Sequence, residues 1–274
     1  MIKRIAVIGA GRYGETLIKE LACAEERELG VEVIATHRRE ERREELRDRY
    51  GISVLADNRE ACRDADMVYP VVRPEQMEEL LAEIGPTIGD SQIVATGAAS
   101  LKLPFYRQFL PSKCTLAWVF PTPFIAQRAG FLAIHPEPGT DPDRLSELTA
   151  YWSRFCDEVL IVGEEALDTF VILHACGQFY LYPVIKAMIG FGEKNGFSRG
   201  QAQAIVLSTL RSTAQALSGV ECSPEWMDGR MAHASVPGSL TGAGLGVLKE
   251  QDVEGVYGRV GLAALEQARR HREG

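Results

Sequence analysis

A chain of 274 residues with 46% apolar content has room for one large domain or two smaller ones and resembles an ordinary soluble protein in composition. Its net charge of -8 argues against nucleic acid as a partner for the surface as a whole. The six cysteines (Cys23, Cys62, Cys114, Cys156, Cys176 and Cys222) form no C-x-x-C pair, so neither a metal site nor a disulfide framework is supported and a cytoplasmic location is expected. Lys3 and Arg4 lead directly into an apolar run, so no secretory signal is expected. The longest apolar stretch, Phe170 to Phe191, carries His174, Gln178, Pro183 and Lys186. That is too polar for a membrane span and suits a buried helix.

Ile2 to Ile8 predicts a buried strand. Gly9-Ala10-Gly11-Arg12-Tyr13-Gly14 follows at once and spells G-x-G-x-x-G. An amphipathic segment comes next, with Leu17, Ile18, Leu21 and Ala22 on one face. Strand, glycine turn and helix are the context that makes this motif a dinucleotide site. Gly9 permits the tight turn, Gly11 leaves space for a pyrophosphate, and Gly14 lets the helix pack on the strand. The helix N-terminus then faces the phosphate charge.

Val31 to Thr36 predicts the second strand. NAD-specific sites carry an acidic residue near its end. Here the end reads Thr36-His37-Arg38-Arg39, with no carboxylate before Glu40. Arg38 and Arg39 can neutralise a 2'-phosphate and Thr36 can donate to it, so NADP is expected as the cofactor. The alternative is that both arginines merely open the charged helix through Glu45.

Ser53 to Ala56 predicts a third strand, and Asp57-Asn58 opens a short helix that either residue could cap. Met67 to Val72 is a fourth strand, ending at Arg73-Pro74, where Pro74 suits a helix start. Gln92 to Ala98 is a fifth. Alternating strands and helices predict a parallel sheet covered on both faces. Ligands sit at the carboxyl ends of such strands, so Gly9 to Gly14, Thr36 to Arg39, Val72 to Pro74 and Gly97 to Ser100 should converge. Lys113 to Phe120 and Phe131 to His135 are further strands, joined through Pro121-Thr122-Pro123. A helix over Thr140 to Cys156 and a last strand over Glu158 to Val162 follow.

After Glu165 the strand signal disappears. Ala166 to Glu193 predicts a long helix, kinked near Pro183. Asn195-Gly196 is a turn, and Ser198 caps the next helix. Ser223-Pro224-Glu225 starts another, Ser235 to Gly244 reads as a loop, and Val253 to Arg270 as a closing helix. The helix over 170–191 is apolar nearly all round and needs cover. A homodimer interface would supply it, and packing on the first domain is the alternative. The expected fold is α/β: a Rossmann-type dinucleotide-binding domain over 1–163, then an all-α dimerisation and substrate domain over 164–274.

Over nearly its whole length the chain resembles the pyrroline-5-carboxylate reductase family. Ala65 to Pro74 is similar to the family's A-D-V-V-x-x-x-V-K-P, with Arg73 for Lys. Asp57-Asn58 resembles a D-N pair whose Asn touches the cofactor ribose. Val119 to Pro123 resembles its M-P-N-T-P loop, Asp168 to Tyr180 its D-x-x-T-x-L-S-G-S-G-P-A-Y helix, and Ser235 to Leu245 the T-S-P-G-G-T-T-x-x-G-L loop that holds the substrate carboxylate. The departures fall on the substrate side. S-G-S-G-P-A becomes His174-Ala175-Cys176-Gly177-Gln178-Phe179, and S-P-G-G-T-T becomes Val236-Pro237-Gly238-Ser239-Leu240-Thr241.

The resemblance implies hydride transfer from NADPH to the C=N bond of a cyclic imino acid such as pyrroline-5-carboxylate, as in proline biosynthesis. It implies a homodimer through the C-terminal helices and leaves assembly beyond the dimer open. Pro237, Gly238 and Ser239 would meet the substrate, and Cys176 and Gln178 could line the same wall, although Cys176 also reads as a buried thiol. Thr241 would hydrogen-bond the substrate nitrogen or, alternatively, cap the next helix. His174 would be a catalytic group titrating near neutrality or a satisfied core residue. Two other functions stay open: an NADP-dependent oxidoreductase of another imine or carbonyl compound, and a dinucleotide-binding regulatory protein without catalysis.

Overall fold

The computed structural model describes residues 1–98, 101–121, 125 and 128–273; Ala99, Ser100, Thr122 and Pro123 lie outside the described residues. The chain divides into two compact units, Met1–Ala175 with Gln267–Gly274, and Cys176–Glu266. The sheet ends near the expected boundary at Gly163, but Leu167, Phe170 and Val171 still pack against the first unit's core.

The first unit is built outward from β1 (Arg4–Ile8). β1 pairs in parallel with β2 (Glu32–Thr36) on one side and β4 (Met67–Pro70) on the other. Ile8 lies level with Thr36 and with Pro70, so the three strands end together. β3 (Ser53–Leu55), β5 (Ile93–Thr96), β6 (Thr115–Phe120), β7 (Phe131–Pro136) and β8 (Glu158–Ile161) complete one eight-stranded sheet of order β3-β2-β1-β4-β5-β6-β7-β8. The order reverses between β1 and β4, which is where sheets of this kind open a crevice. The central strands are apolar on both faces because helices cover both. Ile5, Val7, Met67 and Tyr69 point into one core with α1 (Arg12–Leu21) and α7 (Pro142–Trp152). Ala6, Ile8 and Val68 point into the other, with α4 (Asn58–Cys62), α5 (Pro74–Ile84) and α6 (Leu103–Arg107). The shorter α2 (Ala24–Glu28) and the charged α3 (Glu40–Tyr50) lie in the same half of the chain.

Parallel pairing fails at one place. β6 and β7 run antiparallel, Trp118 opposite His135. The connection between them is too short for the crossover that a parallel pair requires.

The expected long helix is interrupted, although not at its proline. α8 (Leu167–Phe170) passes into a π-helical turn over Val171–Cys176, and α9 (Gly177–Lys194) then continues through Pro183.

In the second unit α9 packs against α10 (Arg199–Leu217), which Ser198 and Gln201 start with a reciprocal capping box. Gly192 is needed there: a Cβ on it would come within 2.8 Å of the Ala202 Cβ. α11 (Pro224–Ala234), α12 (Leu240–Glu250) and α13 (Val253–Glu273) follow. Only Ala202 and Val206 are buried apolar residues among the described residues of this unit. Phe179, Tyr182 and Phe191 on α9 are 55%, 53% and 70% exposed. Among the described residues no helix is long and apolar enough to cross a membrane.

Candidate dinucleotide site

A cavity of about 700 Å³ opens at the carboxyl ends of β1, β2, β4 and β5. Gly9, Gly11, Arg12, Tyr13, Thr36, His37, Arg38, Arg39, Asn58, Val72, Arg73, Gly97 and Ala98 all line it, so the segments expected to converge do so. Ala10 and Gly14 are buried behind it, and Pro74 starts α5 beside it.

The glycine turn is held by its neighbours. Gly9 has φ +92°, and a Cβ there would stand 2.6 Å from Val72 Cγ1. Its N–H donates to Thr36 Oγ1 at 3.0 Å, and the Ala10 N–H donates to the Thr36 carbonyl at 2.8 Å. Gly14 faces the Gly9 carbonyl, which a Cβ would approach to 2.8 Å. A Cβ on Gly11 would meet nothing within 4 Å, because Gly11 faces the open cavity. Gly11 is also the N-cap of α1, with no side chain accepting from the first turn. The leading amides of α1 are therefore left for an anion.

The arginines divide into two sets. Arg42 and Arg49 both pair with Glu15 and Glu45, and Arg43 and Arg47 pair with Glu40. Arg12, Arg38, Arg39 and Arg73 line the cavity and form no ion pair among the described residues. Arg38 and Arg39 thus stay out of the ion pairs of the charged helix that follows, although Arg39 is its N-cap. Arg43 Nη1 holds their loop by donating to the His37 and Arg38 carbonyls, both at 2.9 Å. His37 Nδ1 accepts the Arg39 N–H at 3.2 Å, and burial, followed by the surrounding arginines, holds its pKa below the usual histidine value.

Thr36 lines the cavity and also holds the glycine turn from beneath: it is 2% exposed and its hydroxyl oxygen accepts the Gly9 N–H. Asp57, not Asn58, caps α4, accepting from Arg59 and Glu60 N–H groups at 2.8 and 3.2 Å. Asn58 faces the cavity and donates to Glu83 at 3.0 Å. Gln76, Glu79, Leu80 and Glu83 of α5 line the cavity without having been singled out by the sequence. Their helical spacing along one face of α5 was the available signal.

Beside Tyr13 stands a further unmarked residue, Tyr69. The Tyr69 hydroxyl donates to the Val119 carbonyl, and the Tyr13 hydroxyl lies close by. Both stand over Gly97, where a Cβ would lie 2.9 Å from Tyr69 Oη and 3.0 Å from Tyr13 Oη. Enclosure of its hydroxyl pushes the Tyr13 phenol up to about 12.

The residues expected around a substrate lie elsewhere in the chain. The Phe131 N–H donates to His174 Nε2 at 2.9 Å, and burial lowers the His174 pKa. That hydrogen bond ties the π-helical turn to the edge of β7 through a neutral ring. Cys176 ends the turn and Gln178 is the second residue of α9, both half-buried. The loop expected over Ser235 to Gly244 stops early, since α12 starts at Leu240. Ser239 is its N-cap, accepting the Gly242 N–H at 2.9 Å, so the cap considered for Thr241 belongs to Ser239. Thr241 is exposed on the first turn of α12, and Pro237 and Gly238 are exposed before it.

A dinucleotide with an extra phosphate fits this cavity: open amides for its diphosphate, a glycine that leaves room for it, and unpaired guanidinium groups at the β2 end. Fold and site define a doubly wound dinucleotide-binding protein with a helical C-terminal unit. Residues 4–99 match the family model described as NADP oxidoreductase, coenzyme F420-dependent, and residues 164–271 match that for pyrroline-5-carboxylate reductase dimerisation. The pyrroline-5-carboxylate reductase of Corynebacterium melassecola is 28% identical over 268 residues, 96% of this chain and 97% of that protein. The one from Synechocystis is 26% identical, covering 90% of each. Among solved structures, pyrroline carboxylate reductase of Plasmodium falciparum with NADP bound superposes with a TM-score of 0.82 at 18% identity, over 99% of this chain and 98% of that one. The Streptococcus pyogenes 1-pyrroline-5-carboxylate reductase gives 0.82 at 21% identity, with the same coverage. The chain is thus similar over nearly its whole length to pyrroline-5-carboxylate reductases, and its C-terminal part matches their dimerisation family.

Proposed function

We propose that the protein is an NADPH-dependent reductase of pyrroline-5-carboxylate, acting in the cytoplasm as a homodimer assembled through its C-terminal helices. What carries the reading is the near full-length similarity to reductases of that name, joined to a cavity whose unpaired arginines suit a phosphorylated dinucleotide.

When bound, the reduced dinucleotide supplies the hydride. The protein supplies position and charge. The free amides at the start of α1 take the diphosphate, Arg38 and Arg39 take the 2'-phosphate, and Asn58 takes the ribose. Gly97 and Ala98, with Val72 and Arg73, form the wall at the other end of the cavity. An imine that already carries its proton needs no strong general acid. The cavity agrees, for Tyr13 holds its proton at neutral pH. Thr241 is the hydrogen-bond partner of the substrate nitrogen, with Cys176, Gln178, Pro237, Gly238 and Ser239 around the substrate. His174 contributes by holding the π-helical turn that leads into α9.

Steady-state oxidation of NADPH with pyrroline-5-carboxylate tests the reading. Turnover only with a different cyclic imine would move the substrate and keep the chemistry. NADPH binding with no turnover on any imine would leave a binding protein. The homodimer rests on the exposed apolar face of α9, and sedimentation of the full chain at micromolar concentration tests it. A monodisperse monomer would overturn it.

A further inference from the structure

Arg43 is not among the residues that line the cavity, yet it holds a loop that does. It lies near the start of α3, and its side chain is 11% exposed. The guanidinium turns back along the chain. Nη2 pairs with Glu40, three residues earlier. Nη1 carries two hydrogens, and one goes to each of the His37 and Arg38 carbonyls, both at 2.9 Å. The Arg39 N–H, on the same loop, is accepted by His37 Nδ1 at 3.2 Å. Three hydrogen bonds therefore fix the backbone between the end of β2 and the start of α3.

Only the backbone is tied. The Arg38 and Arg39 side chains are exposed, line the cavity and form no ion pair among the described residues. A long side chain on a loose loop must be ordered together with that loop when it grips an anion, and the cost is subtracted from binding. A loop already held leaves only the side-chain torsions to be fixed. The planar fork of an arginine suits this task, because one arm meets the carboxylate while the other serves both carbonyls.

We infer that Arg43 is a positioning residue for cofactor choice. By tying the His37 and Arg38 carbonyls it sets Arg38 and Arg39 for the 2'-phosphate of NADPH, which Arg43 itself does not touch. The inference rests on the NADPH reading above.

The experiment is a double-mutant cycle on the full chain, with NADPH and NADH affinities measured by calorimetry. Arg43→Met removes the fork and keeps an unbranched stem. It should weaken NADPH about three- to tenfold, the worth of one net hydrogen bond, and leave NADH within about twofold. In the background of Arg38→Ala with Arg39→Ala the same substitution should cost NADPH nothing further, because no guanidinium is left to position. A loss that persists undiminished in that background would show that Arg43 acts through its own charge on the phosphate, and would overturn the inference. Equal loss of both cofactors, or no loss of NADPH, would overturn it as well. If Arg43→Met does not fold, Arg43→Lys takes its place in the cycle. It keeps the charge, but one compact ammonium cannot serve Glu40 and both carbonyls as the fork does. Wild type that binds NADH as tightly as NADPH, or binds neither, would instead remove the NADPH reading and this inference with it.

Discussion

The N–H of Gly9 donates to the side-chain oxygen of Thr36 at 3.0 Å, fastening the glycine turn to the end of the neighbouring strand. Thr36→Val keeps the shape and leaves this amide without its acceptor. A loss of about 1–3 kcal/mol in urea unfolding is expected, the cost of one unsatisfied buried donor. Thr36→Ser, which restores the oxygen, should recover most of it. A Val variant as stable as wild type would show that the turn does not depend on this bond.

Replacing Arg38 and Arg39 together with Ala should weaken NADPH by about tenfold or more, since hydrogen bonds to charged groups contribute about 1.5–3 kcal/mol. NADH has no 2'-phosphate and should lose little. Binding of both cofactors measured side by side decides the matter. Equal loss for the two would mean that the arginines do not read the extra phosphate.

Gly97→Ala should damage the site more than its size suggests. The new Cβ would sit 2.9 Å from Tyr69 Oη, 3.0 Å from Tyr13 Oη and 3.2 Å from the Val119 carbonyl. The hydroxyls must separate or the strand end must shift, at a cost of about 1–3 kcal/mol for overpacking. Weakened NADPH binding with a lowered melting temperature is the expected result. Unchanged values for both would contradict the packing described here.

His174 should make stability fall on the acid side. Its pKa is lowered in the folded chain, chiefly by burial, below the ordinary histidine value of 6.5. The unfolded chain therefore binds this proton more readily than the folded one. The contribution is present above pH 6.5 and is lost as the pH falls through the lower folded value. One partly exposed hydrogen bond limits the effect to about 1 kcal/mol. Urea midpoints across this range should drop in wild type and drop less in His174→Asn. Parallel curves would assign the acid sensitivity to other groups.

Much of the first unit was legible because its information is local. Ile5 to Ile8, the glycine turn and Leu17 to Leu21 give strand, turn and helix within one short stretch, and the doubly wound rule places the cavity from there. The Ser198 cap could likewise be read from Ser198 and Gln201 alone. What escaped depends on contacts between distant residues. Nothing near Tyr13 announces Tyr69, and nothing near Thr36 says that its hydroxyl is already engaged. The antiparallel turn of β7 follows from the length of a connection, not from the pattern of the strand. Gly242 and Gly244 read as loop, yet Ser239 starts a helix through them, because its cap outweighs the weak helix preference of glycine. The π-helical turn at His174 adjoins an irregularity that periodicity averages over.

The scarcity of buried apolar side chains around Ala202 and Val206 has a consequence for how the chain denatures. A unit whose apolar helices are covered only by a twin has no stability that belongs to one chain. On the homodimer reading, melting that part is a second-order event, and its midpoint must climb as the protein is concentrated. The sheet, closed on both faces by its own helices, carries no such dependence. Heating a dilution series should therefore draw two transitions apart at the dilute end and bring them together at the concentrated one.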